Sequence, residues 1–198
     1  MSSRAPKPLW MQTMTVRLIA IALTSISLAS TAMARAPVAN TTISEAEVLA
    51  AQKAWGDALI AISETHAKDG QPAAKALAEK VIDGAYGYHY GPVLFKPTLT
   101  EVPQTFRTTR EGALSYFVGG NSSFPKDSGF ALKGWKKVEV QNAAIFLAGD
   151  VATSMGNVSF TDKDGKVTTV DKTWKFKKDD SGKLRIVVHH SSLPYASK

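Results

Sequence analysis

Apolar residues along this chain recur first with the period of a helix and then with the period of a strand. Val48, Ala51, Trp55, Leu59 and Ile62 fall three or four positions apart, on one stripe of an amphipathic helix running from about Glu45 to Thr65. Ser44 or Thr42 stands where an N-cap is needed, and Glu45 and Glu47 put negative charge where the helix dipole favours it. Gly70-Gln71-Pro72 interrupts the pattern, which resumes from Ala73 to Asp83 with Ala74, Leu77, Val81 and Ile82 inward. Tyr86 to Pro92 reads as an aromatic turn. Val93 to Leu99 is a short strand, confined to an edge or a bulge because Pro97 has no N–H to give a ladder.

A second helix follows, Arg110 to Val118, capped by Thr108 or Thr109 and stopped by Gly119-Gly120. It carries Tyr116 as a buried ring whose hydroxyl needs a partner. The loop from Asn121 to Gly134 is too apolar to be merely solvated, and Phe124, Phe130 and Trp135 are expected to cover a cavity. Period two then takes over: strands Lys136 to Asn142, Ala143 to Leu147, Val151 to Phe160, Lys166 to Lys177 and Leu184 to Ser192. Asp162-Lys163-Asp164-Gly165 and Asp179-Asp180-Ser181-Gly182 join the last three as hairpins. Helices followed by a meander of antiparallel strands predict an α+β fold, a curved sheet wrapped around the helices and open at one end as a cone.

The last strand ends in polar residues, Val187-Val188-His189-His190-Ser191-Ser192-Leu193-Pro194-Tyr195. Side chains alternate faces along a strand, so His189 and Ser191 share one face and His190 and Ser192 the other. Leu193-Pro194 ends the pairing, which puts these groups near the mouth of whatever the sheet encloses. Read alone, the four residues fit an ordinary exposed strand end as well as a site. Thr98, beside Pro97, has either a free hydroxyl or a packing role.

Residues 1 to 34 stand apart. Arg4, Lys7 and Arg17, with no acid among them, precede the apolar run Leu18 to Leu23 and the A-x-A site Ala32-Met33-Ala34, the make-up of a secretory signal peptide cleaved after Ala34. Residues 35 to 44 then form a linker, 45 to 198 the single domain, and the mature protein is expected in the periplasm or secreted, free of the membrane. Losing the leader takes the net charge from +7 to about +4. The clusters Lys133/Lys136/Lys137 and Lys172/Lys175/Lys177/Lys178 alternate with apolar residues as solvated strand faces do, so nucleic acid is not an expected partner. The chain has no cysteine, which excludes disulfides, thiol catalysis and thiolate metal sites.

Several segments in order carry a resemblance. Val93 to Thr98, Glu111-Gly112-Ala113-Leu114-Ser115-Tyr116-Phe117-Val118-Gly119-Gly120, Gly129-Phe130-Ala131-Leu132-Lys133 and His189 to Tyr195 resemble the iota-class carbonic anhydrases of the NTF2-like, or SnoaL-like, superfamily. The resemblance is to the subgroup described as working without metal and spans roughly residues 45 to 195. It implies an NTF2-like cone, reversible hydration of CO2 to bicarbonate (a lyase), no metal or other cofactor, and a substrate surrounded by Thr98, Tyr116, Ser191 and His189. The resemblance does not identify the apolar wall of the pocket, for which Phe130 and Phe95 are the expected residues. A homodimer or higher homo-oligomer is the expected assembly.

Adjacent His189 and His190 cannot ligate one ion from a regular strand, and His66 and His89 lie at a helix end and in a loop. Without an ion, hydroxyls do not make free hydroxide at neutral pH, since bulk water has a pKa near ~15.7. The consistent alternative is that Thr98, Tyr116 and Ser191 hold a neutral water against CO2, with His189 accepting or passing the proton. Two other uses of the fold compete. A small-ligand binder relies on the aromatic loop 121 to 135, and a self-associating domain, like the association domain of calmodulin-dependent kinases, on an apolar outer sheet face made of Val138, Val140, Phe146 and Val151.

Overall fold

The computed structural model describes residues 41–196; the expected leader, its cleavage site and most of the linker lie outside them. Helix α1 spans Glu45–Ala85 but is two helices joined at Gly70, whose φ of 81° and ψ of 179° break the helical path before Pro72. That conformation is open to glycine without strain, and the proline behind it cannot donate a bond back across the break. Ser44 is the N-cap, with a full capping box: its hydroxyl accepts from the Glu47 amide and the Glu47 carboxylate accepts from the Ser44 amide. Helix α2 (Arg110–Val118) is capped by Thr109, whose Oγ1 accepts from the Gly112 amide at 3.1 Å.

The five strands are β1 (Leu94–Lys96), β2 (Trp135–Ala148), β3 (Val151–Asp162), β4 (Val167–Lys178) and β5 (Leu184–Ser192), in the sheet order β1-β5-β4-β3-β2. β2 to β5 form the expected antiparallel meander. β1 is shorter than the sequence pattern indicates, ends at Pro97 as an edge strand, and runs parallel to β5, so the curved sheet is not wholly antiparallel. The two strands expected between Lys136 and Leu147 are one, with a bulge between Asn142 and Ala144. Gly156 on β3 makes room for it: a Cβ there would lie 2.1 Å from the Gln141 carbonyl oxygen and 2.7 Å from the Asn142 Cα. At the bulge Gln52 of α1 and Asn142 exchange side-chain hydrogen bonds of 2.9 and 2.8 Å, and Gln52 also donates to Ser154.

Alternation sorts the sheet into two faces, with its phase on β5 reset by a bulge at Val187. Ala152, Ser154, Val158 and Phe160 of β3, Val170, Lys172, Trp174 and Phe176 of β4, and Ile186, His189 and Ser191 of β5 are buried against α1 and α2. Val138 and Val140 pack on this inner side, the first against Gly56 of α1, and so do not belong to an outer apolar face. Phe146 does, 72% exposed, near Met155 at 60% on the neighbouring strand. Among the described residues no helix is long and apolar enough to cross a membrane.

Candidate active site

At the β1 end of the sheet the inner face meets α2 in a tight pocket of about 10 Å³, room for roughly one water. Thr98, Tyr116, Ser191, His189, Phe95 and Phe130 all line it, so the six residues singled out in the sequence come together in one place. Pro97, Phe117, Trp55 and Lys172 complete the lining.

Each side chain is set by its element. β5 delivers His189 and Ser191 inward, both 2% exposed, while His190 faces solvent, as strand parity requires. Pro97 ends β1, and the chain turns so that Thr98 Oγ1 lies 2.5 Å from Ser191 Oγ. Beyond Thr98 the loop is tied down by Thr100, which donates to the Thr105 carbonyl at 2.8 Å. It is held further by Arg107, which makes a two-pronged bond to Asp127 with both side chains 2% exposed. The same arginine stacks on Phe124 at 4.6 Å, so Phe124 braces this loop from outside the pocket lining. α2 aims Tyr116 across the opening. Its ring stacks on Phe130 at 5.4 Å and meets Phe95 edge-on at 5.6 Å. Burial holds its hydroxyl well above the usual tyrosine range, opposed in part by backbone hydrogen bonds from Leu99 and Thr98. Phe130 is fixed in turn by its carbonyl, which accepts from Trp135 Nε1 at 2.6 Å.

His189 is more constrained than the sequence indicates. Its ring stacks on Phe95 at 4.4 Å, and both nitrogens are engaged: Nδ1 lies 2.8 Å from the Tyr86 hydroxyl and Nε2 2.7 Å from Lys172 Nζ. Trp55 Nε1 donates to the Tyr86 hydroxyl at 3.0 Å. An indole nitrogen is only a donor, so the Tyr86 oxygen accepts from it and its own hydrogen goes to Nδ1. Nε2 then carries the imidazole hydrogen and donates to Lys172, whose nitrogen must offer a lone pair. The other tautomer leaves the hydroxyl hydrogen of a 1% exposed tyrosine with nowhere to go. Burial, then the neighbouring Lys172, push the pKa of His189 well below the ordinary 6.5.

Lys172, expected on a solvated lysine face, is instead 5% exposed on the inner face, directly across from Ser191 in the β4–β5 register. Its nitrogen lies 5.0 Å from the ring of Trp55 and 5.4 Å from that of Trp174. Burial alone brings its pKa from 10.5 down to about 7. The signal was present in β4, since Val170, Lys172, Trp174 and Phe176 are one parity class and a lysine among them is on the buried side. Tyr86 was likewise read as part of a turn; it follows α1 and orients the histidine. Among the described residues no group of three or more His, Asp or Glu side chains is arranged to hold a metal ion.

The family model described as metal-independent carbonic anhydrase matches residues 46–193. The metal-independent carbonic anhydrase of Nostoc sp. strain PCC 7120 is 69% identical over 156 residues, covering 79% of this chain and 76% of that protein. A crystal structure of the iota-carbonic anhydrase from a cyanobacterium, complexed with bicarbonate, superposes with a TM-score of 0.81 at 66% identity, covering 83% of this chain and all of that one. With the match running through both helices and all five strands, this chain belongs to the metal-independent carbonic anhydrase family.

Proposed function

We propose that this protein is a carbonic anhydrase that hydrates CO2 reversibly to bicarbonate with a water held by hydroxyl groups, at Thr98, Tyr116 and Ser191. The observation that carries the site assignment is the meeting of these three hydroxyls in one pocket whose remaining walls are mostly aromatic. CO2 is apolar and enters such a lining without losing hydrogen bonds to water, whereas bicarbonate is an anion and needs donors. The hydroxyls serve both states. They hold the water oxygen toward the CO2 carbon, and they donate to the oxygens on which charge grows as the C–O bond forms. None of them is itself ionised at neutral pH, with Tyr116 pushed further from ionisation by burial, so the nucleophile is neutral water losing its proton as it attacks. His189, closed off at both nitrogens, acts as a positioning group for the wall that carries Ser191.

Stopped-flow CO2 hydration on purified protein, before and after exhaustive chelation and with metal content measured by elemental analysis, tests this. Activity that survives stripping, together with a loss of about a hundredfold in Tyr116→Phe at unchanged circular dichroism, is expected from removing one preorganised donor. Activity that vanishes with the metal and returns on adding zinc overturns the hydroxyl mechanism.

The same reading extends to location and assembly. An exported protein cleaved after Ala34 is supported by the basic start, the apolar run and the A-x-A site. A homodimer is supported by the exposed apolar side chains of Phe146 and Met155 on the outer face. Intact mass of periplasmic protein and light scattering of the purified chain decide the two points.

A further inference from the structure

The hydration reaction releases a proton inside a largely buried pocket, and no hydroxyl there is a base of suitable strength. We propose that Lys172 is a catalytic residue of this site, the amine that takes this proton in hydration and returns it in dehydration. The inference rests on the carbonic anhydrase reading and deepens it.

The geometry supports it from every side. Lys172 lines the pocket with the three hydroxyls and stands opposite Ser191 across the β4–β5 ladder. Around its nitrogen, α1 contributes the ring of Trp55, β3 that of Phe160, β4 that of Trp174, and β5 the imidazole of His189. The ionisable groups facing it are His189, Tyr86 behind that ring, and Tyr116 from α2 across the pocket; none of the ion pairs among the described residues includes it. An amine in such a place, with no carboxylate partner, is kept neutral by desolvation and has a pKa near 7, where a base that must both take and return a proton works best. The chain Trp55 to Tyr86 to His189 adds to this by presenting an N–H, rather than a lone pair, to the amine.

The step balances without a further reactant. The water oxygen bonds to the CO2 carbon, one water O–H bond breaks, its proton goes to the Nζ lone pair as Nζ rotates that lone pair from His189 Nε2–H toward the pocket, and one C=O π pair becomes the charge on oxygen. The products are bicarbonate and an ammonium beside it. His189 Nε2–H, no longer donating to that lone pair, is freed to donate to the anion. Loss of the ammonium proton to buffer as bicarbonate leaves resets the site.

The test combines a pH profile with a direct titration. In the wild type, kcat/KM for hydration rises with pH through about 7 and that for dehydration falls through the same value, the reciprocal limbs of one group. Lys172→Met is expected to remove both limbs and lower hydration about a hundredfold or more. Lys172→Arg, whose guanidinium does not give up its proton, is expected to be as inactive although it keeps the charge and the donor. NMR of lysine-labelled wild type, with the Lys172 signal identified by its absence in Lys172→Arg, is expected to show the amine titrating near 7 and rising when bicarbonate is added. This measurement needs neither turnover nor a folded Met variant. A Lys172 amine still protonated above pH ~9, or a Met variant within threefold of wild type, overturns the proposal with the carbonic anhydrase reading intact; a wild type without hydration activity removes both.

Discussion

Lys172 and Lys177 sit on the same strand, one on each face of the sheet, and have opposite chemistry. Lys177 points outward with its side chain 40% exposed, pairs with Asp150 at 2.5 Å, and is held above the ordinary lysine pKa by that hydrogen bond. Lys172 points inward among aromatic rings and is pushed down to about 7 by burial. The same division runs along β5, where His189 and Ser191 line the pocket and His190 is in solvent. Residue type is therefore a poor guide to function in this protein, and strand parity a good one. The inner face converts common side chains into reagents by removing water.

The sharpest way to break the comparison is to delete a hydroxyl from one face and then from the other. Ser191→Ala is expected to lower CO2 hydration by two to three orders of magnitude, about 3 to 4 kcal/mol of transition-state stabilisation, while Ser192→Ala, one residue on and facing outward, stays within twofold of wild type. Stopped-flow assays of the two purified variants check this, and equal losses show that parity does not define the site.

A second test acts on the backbone that keeps the faces separate. Gly156→Ala drives a methyl into the Asn142–Ala144 bulge, against backbone rather than a flexible side chain. The expected cost is about 3 kcal/mol, at the upper end for overpacking, read as a lowered denaturation midpoint in urea. Unchanged stability means the bulge on β2 is absent.

The third uses pH. Lys172 is an amine whose folded pKa, about 7, lies below its unfolded 10.5. Between those values the unfolded chain binds the proton and the folded one does not, so this group's penalty is full below pH 7 and fades as pH rises toward 10.5. Raising the pH from 7 to 9 therefore stabilises the fold through this residue by about 2 kcal/mol, at ~1.36 kcal/mol per unit. Thermal melts of wild type and Lys172→Met at the two pH values measure it as the part of the change that the variant lacks. The smallest effect belongs to the outer face: Lys177→Met, breaking a solvent-exposed pair, is expected to leave the thermal midpoint indistinguishable from wild type.

The fold, and the common face of His189 and Ser191, were legible because they depend on patterns within single segments, whereas Thr98 and Tyr116 were reached only through the resemblance. Val48 to Ile62 announce a helix by spacing, Pro97 an edge, and His189 and Ser191 a common face. What stayed hidden depends on pairing between distant segments. The bulge on β2 exists because Gly156, on the next strand, leaves space for it, and the parallel run of β1 beside β5 joins residues more than ninety positions apart. Lys172 was hidden for a different reason: three further lysines follow it closely, and local charge density outweighed the alternation of Val170, Trp174 and Phe176. Tyr86 carries no local sign that its hydroxyl orients a histidine on β5.

The buried pair between Arg107 and Asp127 bears on how the protein behaves when heated. Removing two charges from water is costly at room temperature, but the hydration of ions weakens as temperature rises, so that cost shrinks while the attraction between the partners persists. The pair clamps the segment after Thr98 to the one before Phe130, the two stretches that flank the pocket mouth. In warm surroundings this clamp tightens in relative terms just as exposed pairs such as that of Lys177 and Asp150 count for little, and the rim of the pocket is thereby the part of the surface best suited to hold its shape in heat.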